Sequence, residues 1–92
     1  MGWLEVAREV VEQHQFAVVD HETGQRITNP VLDADGMPVE DGRSVLLDAY
    51  SAQVMVQVHD HLSTFNAARL AAMPPAMAQQ AAFTLLEKVR NR

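Results

Sequence analysis

The hydrophobic pattern of the chain changes period twice. From the N-terminus, apolar side chains fall at Trp3, Val6, Ala7, Val10 and Val11, with His14 on the same stripe. A spacing of three and four puts them on one helical face. Glu5, Arg8, Glu9 and Glu12 take the opposite face, so the pattern predicts a helix over about residues 3–14. The period then shortens. Phe16-Ala17-Val18-Val19 is aromatic and β-branched and runs into the turn-forming cluster Asp20-His21-Glu22-Thr23-Gly24, which predicts a strand and a turn. Arg26-Ile27-Thr28 is expected as the return strand of that hairpin. Asn29-Pro30 ends it, since proline has no amide to give to a ladder and belongs at a sheet edge. Val31-Leu32, the turn Asp33-Ala34-Asp35-Gly36 and Met37-Pro38-Val39 repeat the alternation, and Asp41-Gly42 turns the chain again. The middle third therefore reads as a small antiparallel β-meander or a long irregular arm.

Ser44-Val45-Leu46-Leu47 fits either a last strand or the opening of a helix, and the strand is preferred because of Asp48. A carboxylate there can accept the amide of Ser51 and cap a helix beginning at Ala49. In that helix Val54, Met55, Val56 and Val58 spread over several faces, the pattern of a central or interfacial element. Ser63 is placed to cap a further helix, which Met73-Pro74-Pro75 stops. Pro75 in turn suits the first turn of a last helix, whose apolar face runs through Met77, Ala78, Ala81, Ala82, Leu85, Leu86 and Val89 to a basic end at Lys88, Arg90 and Arg92. The expected fold is α+β: an N-terminal helix, a small antiparallel β-meander or arm and a C-terminal three-helix unit, in one domain over residues 1–92.

Composition narrows the chemistry. The 92 residues contain no Cys, which removes disulfides, thiolate metal sites and cysteine nucleophiles together. No apolar run approaches the roughly 18 residues of a membrane span, and Met1-Gly2-Trp3 resembles neither a secretory nor a lipidation signal. A soluble protein without membrane insertion is expected. The formal charge is -5, and it is uneven: residues 1–48 carry ten acids against three arginines, whereas residues 49–92 carry two acids against four bases. An acidic N-terminal half repels phosphate, so no nucleic-acid partner is expected.

The run Leu47-Asp48-Ala49-Tyr50-Ser51-Ala52, then Val56-Gln57-Val58-His59-Asp60 and Leu62-Ser63, followed by a short helix, a proline break and a last amphipathic helix, resembles small uncharacterised proteins of actinobacterial phages. The resemblance covers the C-terminal half. It implies a phage setting and the cytoplasm of a bacterial host, and it brings no catalytic residues with it.

Three candidate chemistries fail on spacing. Asp33-Ala34-Asp35-Gly36 looks like the centre of a calcium loop, but with Gly36 at loop position six, Val31 and Gly42 fall where a carboxylate and a bidentate Glu are needed. On a helix, His59 and His61 of the His59-Asp60-His61 triplet point about 200° apart and do not share an ion. The four glycines are scattered, so no phosphate-cradling loop exists, and no sequence context selects a nucleophile. No cofactor, metal site or catalytic residue is assigned. What remains is a non-enzymatic phage or prophage interaction protein that forms a homo-oligomer and binds a host or virion protein. Val54, Met55, Val56 and Val58 are expected at the oligomer interface. Glu5, Glu9, Glu12, Asp20, Glu22, Asp33 and Asp35 are expected as an acidic contact region that steers a basic partner. The alternatives are a minimal metal-dependent enzyme built on His59-Asp60-His61 and a small DNA-binding regulator using the helices around Ser63 and Pro75.

Overall fold

A computed structural model describes residues 2–37 and 42–90 of the chain, the last two without their side chains. Six elements follow one another: α1 (Trp3–Gln13), β1 (Ala17–Asp20), β2 (Ser44–Leu47), α2 (Ala49–His61), α3 (Thr64–Ala72) and α4 (Pro75–Arg90). The architecture is α+β, with an N-terminal helix, a two-stranded antiparallel sheet and three C-terminal helices. No helix among the described residues is long and apolar enough to cross a membrane.

Each helix begins and ends where its local chemistry dictates. The backbone of α1 closes at His14, whose left-handed conformation (φ 54°) lets its amide return to the Val10 carbonyl. Asp48 Oδ1 accepts the Ser51 amide at 2.6 Å and Ser63 Oγ accepts the Asn66 amide at 3.4 Å, so both predicted caps are in place. Pro75 opens α4, where the lost amide would have had no intrahelical partner.

The core gathers on both sides of α2, which packs against α1 and α4. Trp3, Val10, Val19, Leu47 and Met55 are its large buried side chains, with Ala7, Ala52, Ala78 and Ala82 allowing the helices to approach closely. Gln79 Nε2 donates to the buried Ser51 Oγ at 3.1 Å and ties α4 to α2. Gly24 seals the N-terminal end of α1. Its φ is +75°, and a Cβ there would lie 2.5 Å from the Trp3 amide nitrogen, so only glycine lets the turn sit on the helix.

The middle third differs from the expected hairpin. The ladder partner of β1 is β2, in the register Ala17↔Leu47 to Asp20↔Ser44. Arg26-Ile27-Thr28 forms no strand and meets β1 only at the isolated bridge Val19↔Arg26, supported by Asp20 N–H to Gln25 O and Ile27 N–H to Val18 O, both 2.8 Å. The two contacts use opposite edges of β1: the Val18 carbonyl and the Asp20 amide face residues 25–27, while the His21 amide continues the β2 side to Arg43 O. The contact with residues 25–27 goes no further because Asn29 turns left-handed (φ 55°) ahead of Pro30, which has no amide to give. Residues 26–37 thus form an arm leaving the sheet. The turn at 33–36 is present, while the expected strand at 37–39 and the turn at Asp41 fall largely outside the described residues.

Candidate functional site

The seven carboxylates expected as one contact region divide by task. Asp20 Oδ1 accepts the amides of Glu22 (2.8 Å) and Thr23 (3.0 Å), and those two bonds hold its carboxyl below the usual carboxylate range. Asp33 Oδ1 likewise accepts the amides of Asp35 (2.9 Å) and Met37 (3.0 Å). Both are turn-makers first. Glu9 pairs with Arg26 at 2.6 Å and pins the base of the arm to α1, and Glu22 lies 3.5 Å from His21. Glu5, Glu12 and Asp35 are exposed and make no ion pair among the described residues, so they are the carboxylates open to an external charge.

His59-Asp60-His61 is placed as a clasp. Arg8 reaches Asp60 with two guanidinium bonds, Nη2 to Oδ1 at 2.7 Å and Nη1 to Oδ2 at 3.1 Å, so the carboxylate joins α2 to α1. His59 Nδ1 lies 2.9 Å from the same Oδ1. The Arg8 guanidinium, and after it His59, hold the Asp60 carboxyl well below its ordinary range. His61 turns away and donates Nδ1–H to the Gln57 carbonyl at 2.8 Å, satisfying one of the orphan carbonyls of the last turn of α2. Among the described residues no three His, Asp or Glu side chains converge as metal ligands would.

The expected interface residues also separate. Met55 is fully buried and Val54 is 6% exposed, both inside the chain's own core, because α1 and α4 already cover two sides of α2. Neither is exposed to a second molecule. Val56 and Val58 are half-buried.

Val58 lies in a groove between the C-terminal ends of α2 and α4. Its volume is about 430 Å³, within the range of small-molecule and peptide side-chain sites. Val58, Leu62, Leu85 and Leu86 form an apolar floor, and Gln57, His61 and Lys88 form the rim. Among the described residues the rim holds no carboxylate and Lys88 makes no ion pair. The pattern of α4 held a sign of this groove: Leu85 and Leu86 are neighbours about 100° apart on the helix, so one line of core contacts cannot absorb both.

Elsewhere the surface displays Val31 (75% exposed), Leu32 (52%) and Met37 (47%) on the arm and Phe65 (71%) on α3. The Phe65 ring lies under the Arg69 guanidinium at 5.8 Å, and Tyr50 rests against Phe83 at 5.9 Å, so these rings have companions within the chain. Among the described residues the arm side chains have no comparable companion. No family model, curated protein or solved structure matches this chain.

Proposed function

We propose that this protein is a non-enzymatic interaction protein of a phage or prophage, working in the cytoplasm of a bacterial host, that self-associates and binds a host or virion protein. The observation that carries the reading is the α2–α4 groove, an apolar floor of four side chains left open to solvent beside a polar rim. Concave apolar grooves with a few polar groups at the rim are the usual place for a ligand or a partner's side chain. The phage setting rests on the resemblance of residues 47–63 alone. The acidic N-terminal half supplies long-range attraction for a basic partner, through Glu5 and Glu12 on the free face of α1.

The test is capture from a bacterial host with the intact protein, alongside Glu5→Lys/Glu12→Lys. Glu9 is left alone because of its pair with Arg26. A partner retained by the parent, lost by the double variant and weakened by added salt supports the reading. A protein that stays monomeric and retains the same material in both forms contradicts it.

A further inference from the structure

Two of the surfaces on which this chain leaves apolar side chains exposed carry opposite charge. The first is the tip of the arm. Val31, Leu32 and Met37 are exposed within seven residues of one another. The tip is nonetheless a built structure: Asp33 N–H bonds the Met37 carbonyl at 2.8 Å, Gly36 N–H bonds the Asp33 carbonyl at 3.0 Å, and Asp33 Oδ1 accepts two further amides. A closed turn that satisfies its backbone internally and points its apolar side chains outward has the form of a docking element. Its unpaired side-chain charge is negative, at Asp35.

The second surface is the α2–α4 groove, whose rim is cationic where the arm is anionic. The carbonyl ends of two helices lie nearby and favour positive charge. His61 already answers that demand by donating to Gln57, which leaves the Lys88 ammonium without a carboxylate partner among the described residues. Every lining residue of the groove belongs to α2, its C-cap residue or α4. The base of the arm is fixed beside β1 by the Val19↔Arg26 bridge and by Arg26 on Glu9, and no arm residue among the described residues lines the groove of its own molecule.

We infer that the arm tip of one copy seats in the α2–α4 groove of a second copy, with Leu32 and its apolar neighbours on the floor and Asp35 facing Lys88. The inference rests on the self-association proposed above and names the surfaces that make it. Reciprocal exchange, arm to groove in both directions, closes the assembly as a two-fold dimer and uses each surface twice.

The experiment is sedimentation over a wide concentration range for the parent and three variants: Val31→Ser/Leu32→Ser, Lys88→Glu, and Asp35→Lys/Lys88→Glu. All replaced side chains are exposed, and circular dichroism and monomer hydrodynamics check that the fold is kept. The parent is expected to pass from one copy to two as concentration rises. The arm variant and Lys88→Glu are expected to move the midpoint to at least about tenfold higher concentration, and the charge-exchanged double variant to recover part of what Lys88→Glu loses. A parent that stays monomeric throughout overturns the inference together with self-association. A parent dimer whose midpoint is unchanged in the arm variant, or a double variant weaker than Lys88→Glu, overturns the arm-to-groove contact and leaves self-association standing.

Discussion

The arm and the central helix are both rich in apolar residues, yet they treat them in opposite ways. On α2, Val54 and Met55 are inside the core, because a helical repeat brings them to faces that α1 and α4 cover. On the arm, Val31, Leu32 and Met37 are outside, because a turn closed on Asp33 fixes the backbone without gathering side chains on one face. Hydrophobicity alone therefore does not decide burial in this chain. Periodicity does, since it determines whether successive apolar groups share a face that a neighbouring element can cover.

The largest effect separating the two regions is in stability. Met55→Ala removes a fully buried side chain and is expected to cost about 2–5 kcal/mol by denaturant unfolding, whereas Leu32→Ala, half-exposed on the arm, should stay within about 0.5 kcal/mol in the dissociated protein. A comparable loss at both positions would mean that the arm is packed after all.

A smaller contrast separates two glycines with the same handedness. Gly24→Ala puts a Cβ 2.5 Å from the Trp3 backbone nitrogen as well as straining a φ of +75°, while Gly36→Ala at the arm tip, φ +78°, meets nothing within 4 Å. Gly36→Ala is expected to cost only the left-handed strain, roughly 1–2 kcal/mol at most, and Gly24→Ala clearly more. Thermal unfolding of the two variants side by side measures the difference, and equal losses would show that the turn at Gly24 does not depend on close approach to α1.

The smallest effect concerns acid. Folding lowers the Asp60 carboxyl below its ordinary value of 3.8, first through Arg8 and then through His59. The stabilisation from that clasp is thus complete above 3.8 and is lost as pH falls below it toward the folded-state value. Asp60→Asn should flatten the acid limb of the unfolding temperature in that window and leave the dependence at higher pH unchanged. Asp20, lowered by its own turn amides, titrates in the same region and keeps some acid sensitivity in the variant. An acid limb identical in parent and variant would sever the link between α1 and α2 through Arg8.

The same comparison explains what the sequence disclosed. The helices were legible down to their caps, since Asp48, Ser63 and Pro75 act on residues three or four positions away. The strand at Ser44 was legible for the same reason. The pairing of β1 was not, because Arg26-Ile27-Thr28 is near in the chain and alternates correctly, yet it meets one edge of β1 at a single bridge while the four-residue ladder forms on the other edge with the distant β2. At the candidate site, Val58 was expected at an interface only as one of four residues with Val54, Met55 and Val56, and the groove joins residues of α2 and α4 that no local pattern connects. The acidic residues carry a local role that composition did not disclose: Asp20 and Asp33 hold turns through the amides that their Oδ1 atoms accept.

The exposed arm and the open groove either meet between molecules or remain separate surfaces. A dilution series followed by amide NMR tests this most directly. The amide signals of Leu32 and Asp35 on the arm and of Leu62 and Leu86 in the groove are expected to shift together, with one midpoint concentration, while those of the core residues Val10 and Val19 stay fixed. Arm and groove signals that do not respond to dilution, or a response confined to one of the two surfaces, would contradict it.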